Sequence, residues 1–189
     1  MKAGAYVLAA GAGSRFQGPT HKLLAPLAGS TVLGLAIVRA SESSLEGGVS
    51  VVVGDTALMA ALPEGTRAIP SPRWSDGLAA SLSAATDDAI ARDLEVVVVA
   101  LGDQPAVDSA SFRRVVAACS DATPIVFAAY DGRRGHPVAL HRSVWGLLPR
   151  SGEEGARGLA RSRPDLVTEV PCMGSPDDVD TVEDLDRWS

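Results

Sequence analysis

The stretch Glu95-Val96-Val97-Val98-Val99-Ala100-Leu101, running into Gly102-Asp103-Gln104-Pro105, decides the fold. Four consecutive valines without polar alternation read as a strand buried on both faces, at the centre of a mostly parallel sheet. Around it, apolar runs alternate with helical patterns. Residues 5–9, 49–53, 125–130, 138–141 and 167–170 read as further strands, with Asp131-Gly132 as a turn after the fourth of these runs of the chain, 125–130. Residues 31–40, 57–62, 78–91, 109–118 and 181–187 read as helices, the first capped by Thr31. Such alternation predicts an open α/β sheet with right-handed crossovers. Ligands of these sheets sit beyond the carboxyl ends of the strands. That rule selects two loops, residues 10–23 after the first strand and 102–106 after the valine strand.

The 189 residues fit a single domain spanning 1–189, and 46% apolar with 21% charged residues is the balance of a soluble globular chain. Aromatics at 4% are too few for stacking on single-stranded nucleic acid, and a net charge of −6 argues against a nucleic-acid surface. No apolar run reaches the roughly 18 residues a membrane span needs, and the apolar start reads as a buried strand rather than a signal peptide. Cys119 and Cys172 lack CxxC spacing, so a reduced, cytoplasmic protein is expected. The charge is uneven. No acidic residue precedes Glu42, whereas Lys2, Arg15, Lys22 and Arg39 make the glycine-rich start basic, which points to a local anion site.

The first loop reads Leu8-Ala9-Ala10-Gly11-Ala12-Gly13-Ser14-Arg15-Phe16-Gln17-Gly18. A dinucleotide fingerprint would need glycine where Phe16 stands, and Pro19 and Pro26 break the helix it should open. A Walker loop would need Lys after Gly18, where Pro19 stands, and no GxSxG elbow occurs. What remains is a glycine-rich loop with two cations, Arg15 and Lys22. It suits a triphosphate, with amides for the oxygens and cations for the charge that develops during phosphoryl chemistry. A surface turn with two solvated cations is the alternative.

In the second loop Asp103 is a lone carboxylate at the end of the most buried strand. It suits either Mg²⁺, which takes one or two carboxylates plus phosphate oxygens, or a turn in which it accepts backbone N–H bonds. The tail segment Asp178-Val179-Asp180-Thr181 offers a second metal ligand in Asp180 or Asp178, although Thr181 with Asp184 also fits a helix cap.

Together these segments resemble the MobA-like NTP transferases, and most closely the molybdenum cofactor cytidylyltransferases. Residues 8–23 look like the LAAGxSxRxG…K nucleotide loop, Trp74 to Leu82 like WxxGxxxSL, and residues 101–105 like LGDQP. Gly132 with Arg134-Gly135-His136-Pro137 is similar to GxRGHP, Gly155-Ala156-Arg157 to GAR, and residues 178–185 to DIDTPEDL. Ser71 stands where family members often carry Asn, and Val182 where they often carry Pro.

The resemblance implies a three-layer Rossmann-like nucleotidyltransferase fold of GT-A-like type. The implied reaction is CMP transfer from CTP to the terminal phosphate of molybdopterin, with Mg²⁺ and release of pyrophosphate. It places Leu8, Ala9, Ala10, Gly11, Gly13, Ser14, Arg15, Lys22, Ser71, Gly77, Ser81 and Asp103 on the nucleotide. Arg15, Lys22 and Asp103 would be catalytic, Asp103 and Asp180 would hold the metal, and Gln104, Arg134, Gly135, His136 and Pro137 would meet the acceptor. A molybdenum-dependent apoenzyme is the implied recipient of the product. Ala10 favours cytosine, since LAAG rather than LAGG accompanies that base.

The chemistry is coherent without the resemblance. A phosphate monoester is already anionic at neutral pH, so its attack on the α-phosphorus needs positioning and charge neutralisation rather than a general base. His136 therefore reads as a loop residue that orients the hairpin or touches substrate. Two other readings keep parts of this picture: a nucleotidyltransferase acting on a sugar or polyol phosphate, and a non-catalytic carrier of the molybdenum cofactor.

Overall fold

The computed structural model describes residues 1–11, 16–18 and 20–187. The elements in chain order are β1 (Ala3–Ala9), β2 (Pro26–Leu27), β3 (Ser30–Thr31), α1 (Val32–Glu42), β4 (Val49–Val53), α2 (Thr56–Ala60), β5 (Arg67–Pro70) and α3 (Leu78–Ala91). They continue with β6 (Val96–Leu101), α4 (Ser109–Ala118), β7 (Ile125–Tyr130), β8 (Arg133–His141), α5 (Ala156–Ser162), β9 (Val167–Pro171) and α6 (Val182–Asp186). A sheet of seven strands runs in the order β5-β4-β1-β6-β8-β7-β9, and β2 and β3 form a small hairpin apart from it.

The valine strand lies where the sequence places it. β6 pairs parallel with β1 and antiparallel with β8. Side-chain alternation divides it between two cores, Val96 and Val98 facing one and Val97 and Val99 the other. The first core is closed by Ile37 of α1, Leu58 of α2 and Phe112 of α4. The second is closed by Leu82 and Ala85 of α3, Leu159 of α5 and Trp145. The result is a three-layer α/β architecture with a mostly parallel sheet in which only β8 runs against its neighbours. No helix among the described residues is long and apolar enough to cross a membrane.

Strand order reverses beside β1, since β4 and β5 lie on one side of it and β6 on the other. A crevice therefore opens at the carboxyl ends of β1 and β6. The Gly102 N–H donates to the Leu8 carbonyl at 2.9 Å and fastens the two strand ends together.

Besides the β2–β3 hairpin, which the sequence reading did not include, three features differ from it. β5 is an edge strand with only Ala68 and Ile69 half-buried, too weak an apolar pattern to announce itself. α5 is a short helix containing Gly158 and charged at Arg157 and Arg161, so it lacks a continuous apolar stripe. β8 begins at Arg133 rather than 138, because its exposed first residues are held by backbone pairing of Arg133 with Tyr130 and Arg134 with Ala129. The hairpin turn itself is as expected: Asp131 and Gly132 both adopt positive φ, 49° and 77°, as a two-residue type I′ connection requires.

One polar cluster is half-buried on the α3 side, with the Arg67 side chain exposed at its edge. The Tyr6 hydroxyl donates to Asp88 Oδ2 at 2.9 Å, Arg67 pairs with the other carboxylate oxygen, and Arg92 lies 3.6 Å from Asp88 while reaching Ser50 and the Gly47 carbonyl. Burial alone would raise the Asp88 pKa, but the hydrogen bonds from Arg67 and Tyr6 outweigh it and hold the carboxyl below its ordinary value. The stability this provides is present above the unfolded pKa near 3.9 and lost as pH falls through the lower folded value. Asp88→Asn should therefore lower stability by about 1.5–3 kcal/mol at pH 7, the range for hydrogen bonds to a charged group. Urea melts across pH should show that deficit narrowing as the solution is acidified below pH 4; a deficit independent of pH would refute the assignment.

Candidate active site

At the switch point the strand ends and their loops enclose a cavity of about 450 Å³. Leu8, Ala10 and Gly11 line it from the end of β1, and Leu101 and Asp103 from the end of β6. Lys22 and Leu23 close one side. Trp74, Ser75 and Gly77, then Leu78 and Ser81 at the start of α3, form the opposite wall together with Glu153. Leu8 and Leu101 point to the α3 face by strand alternation, which is why the cavity opens there.

The wall at Trp74–Gly77 is built by close backbone approach. A Cβ on Gly77, whose φ is +97°, would meet the Gly152 carbonyl oxygen at 2.5 Å, and a Cβ on Gly54 would meet the Trp74 ring at 2.5 Å. Glycine at both positions lets residues 152–153 and the indole pack where they frame the cavity.

The charged centre is Lys22. Its Nζ donates to Asp103 Oδ2 at 2.7 Å and to Asp180 Oδ1 at 3.1 Å, with the lysine side chain only 10% exposed. Burial on its own would lower the Lys22 pKa, but Asp103 and Asp180 together raise it above the ordinary lysine value, so the ammonium stays charged.

Asp180 arrives from the far end of the chain because residues 174–180 are strapped to the loop after β6. The Ser175 N–H donates to the Ala106 carbonyl at 3.2 Å and the Val179 N–H to the Asp103 carbonyl at 2.9 Å. Gln104 Nε2 donates to the Pro176 carbonyl and to Asp178 Oδ1, both at 2.8 Å. The Asp184 carboxylate then accepts from the Asp180 and Thr181 N–H groups, completing a capping box at the start of α6. Asp178 has its pKa raised by burial and by the charges of Asp103 and Asp180, against the Gln104 hydrogen bond.

Of the residues singled out in the sequence, Leu8, Ala10, Gly11, Lys22, Gly77, Ser81 and Asp103 share this cavity. Ala9 lines an adjoining hollow with His21, Asp55 and Trp74. Gly13, Ser14 and Arg15 lie outside the described residues. Ser71 is not brought to the cavity: it is 2% exposed, its N–H donates to the Val53 carbonyl, and it borders a separate hollow with Arg73 and Arg150. Gln104 clamps the tail through Nε2, while its buried Oε1 has no hydrogen-bond partner among the described residues. Gly135 is buried against Tyr130 and Pro176, and Pro137 is buried beside it in β8. Arg134 and His136 border hollows next to the cavity rather than the cavity itself. Glu153 and Leu23 are wall residues that the sequence reading missed, since neither carries a signal beyond its proximity to a motif.

Burial, with the nearby charge of Arg157, pushes His136 down to a pKa of about 3. It is neutral at working pH and cannot serve as a proton donor in a charged form. Among the described residues no group of three or more His, Cys, Asp or Glu side chains could hold a metal by itself. The donor set at Lys22 is a pair of carboxylates sharing one cation, which fits an ion such as Mg²⁺ that completes its shell with phosphate oxygens and water.

Comparison with known proteins agrees with this geometry. Comparison with curated proteins finds no significant match. Rv0371c from Mycobacterium tuberculosis is 33% identical, the alignment covering 100% of this chain and 97% of the other with a TM-score of 0.81. A second structure of Rv0371c, complexed with manganese, is 31% identical over 100% and 98% of the two chains with a TM-score of 0.76. A nucleotidyl transferase from Methanothermobacter shares the fold at 24% identity, over 98% and 95% of the chains, with a TM-score of 0.78. Residues 5–167 match the MobA-like NTP transferase domain. With its cavity at the crossing of β1 and β6 and this match over most of its length, the chain belongs to the MobA-like NTP transferase family and is a nucleotidyltransferase of Rossmann-like fold.

Proposed function

We propose that the protein transfers CMP from CTP to the terminal phosphate of molybdopterin, releasing pyrophosphate, with Mg²⁺ as the metal. The observation that carries this reading is the convergence of Asp103 and Asp180 on Lys22 beside a nucleotide-sized cavity. An acceptor phosphate is its own nucleophile, and what its attack demands is charge neutralisation and alignment.

Residues 8–11 border the cavity at the end of a buried strand and suit a base and ribose. Ala10 supports cytosine through the LAAG pattern. Lys22, charged and almost wholly buried at the edge of the cavity, is positioned to pair with phosphate oxygens as charge grows on them. A divalent ion held by Asp103 and Asp180 would draw charge from the triphosphate, and the manganese complex of the Mycobacterium relative supports such a site. The strap at 174–180 fixes Asp180 relative to Asp103, so the two carboxylates meet Lys22 as a unit at the edge of the cavity. The motif set shared with molybdenum cofactor cytidylyltransferases supports molybdopterin as acceptor.

Pyrophosphate release with molybdenum-loaded molybdopterin should be seen with CTP and not with GTP or ATP. Asp103→Asn should lower that rate on the order of 10²-fold or more, the cost of removing one electrostatic contact to developing charge. Preference for GTP would overturn the base assignment, and an unaffected Asp103→Asn variant would remove the metal assignment and favour a carrier.

Lys22 also competes with a metal for the same oxygens. Without nucleotide, Lys22→Met should bind Mn²⁺ more tightly than the wild type by roughly tenfold, since a positive charge a few ångströms away is removed. Electron paramagnetic resonance of free Mn²⁺ would measure this, and equal affinity in the two proteins would place the metal elsewhere.

A further inference from the structure

The cavity continues into two smaller hollows along the face covered by α3 and α5. Leu8 and Leu78, which line the cavity, also border a hollow of about 20 Å³ with Phe127, His136 and Arg157. Phe127 and Arg157 in turn border a third hollow of about 230 Å³, with Arg134, Ala160 and Arg161. Shared walls thus lead from the end of β1 to three guanidinium groups.

Those guanidinium groups are not fully neutralised. Arg134 lies 5.5 Å over the Phe127 ring and pairs with Glu169 at 2.6 Å, and Arg161 pairs with Glu154 at 2.8 Å. The Arg157 side chain makes no ion pair or hydrogen bond among the described residues. One positive charge is left over, on the exposed Arg157, at a recess whose apolar lining is Phe127 and Ala160 and whose neighbouring hollow also includes Glu154. Between the recess and the cavity stands His136, 6% exposed, whose buried Nδ1 has no hydrogen-bond partner. Buried polar atoms are nearly always paired, and His136, whose Nδ1 is not, belongs to the lining of the middle hollow.

We propose that the Arg134–Arg157–Arg161 recess holds an anionic group of the acceptor remote from its reacting phosphate, and that the same molecule pairs with His136 Nδ1 on the way. This rests on the reading of the large cavity as the site of phosphate transfer. The acceptor class is then a phosphate monoester with a second compact anion at its other end. At about 20 Å³ the middle hollow admits one water-sized group, so the acceptor lies across its mouth and offers a single polar atom there. Arg157, lacking a carboxylate partner, provides the largest share of the attraction and sets acceptor affinity without touching the reacting atoms.

Two measurements on the whole protein test this. Calorimetric titration with inorganic phosphate should show a site weakened about tenfold or more in Arg157→Gln but retained in Lys22→Met, consistent with loss of a charge-assisted contact. Loss in Lys22→Met alone would put the anion in the large cavity and overturn the proposal. In steady-state assays, Arg157→Gln should raise the acceptor KM by a similar factor while leaving kcat and the CTP KM within about threefold, and Arg157→Lys should restore part of the affinity. An unchanged acceptor KM beside weakened phosphate binding would assign the recess to free phosphate and overturn the link to the acceptor. If the wild type does not turn over molybdopterin, the proposed function fails, while the phosphate titration still upholds or overturns the anion recess. Matching thermal melts of the variants would exclude a folding defect.

Discussion

β6 is covered on both faces, and this double burial constrains the rest of the molecule. A strand with Val96 and Val98 in one core and Val97 and Val99 in the other has no solvent-facing side. It can therefore sit only at the middle of a layered sheet, with its polar continuation emerging at an end. Pairing with β1 brings a second such end alongside, and the Gly102 to Leu8 hydrogen bond locks the two exits together. The apolar layers thus determine where the crevice at the carboxyl ends of β1 and β6 can open.

The chemistry of that crevice depends on charge balance. Asp103 and Asp180 would repel each other at neutral pH without a cation between them, and Lys22 occupies that position. The arrangement holds the two carboxylates close together on one ammonium group. Burial of Lys22 strengthens these interactions by removing competing water, at the cost of desolvating the ammonium. The strap through Gln104 and Val179 is the mechanical counterpart, holding a tail carboxylate against a loop more than seventy residues earlier in the chain.

Much of this was legible in the residues. The valine run, the alternation of strands and helices, the Asp131-Gly132 turn and the caps at Thr31 and Thr181 are local signals, carried by burial pattern and backbone preference over a few positions. Asp103 and Lys22 were legible as candidate site residues because each belongs to an ordered motif in a loop that follows a strand. β5 and α5 were not legible, since an edge strand and a short charged helix draw their stability from neighbours rather than from their own patterns. Ser71 shows the reverse case, a position tied to a motif whose side chain is turned into the interior beside Val53.

The sequence by itself determined the fold class, the two loops that form the site and the sign of the charges they carry, because those properties reside in contiguous residues. Only the tertiary structure decided that Lys22 lies between Asp103 and Asp180, that Gln104 Nε2 clamps the tail, and that Arg134, Arg157 and Arg161 converge on one recess. These are contacts between segments separated by tens of residues. Their geometry is set by sheet order and helix packing, and no local propensity encodes the distance between two side chains that meet across a folded core.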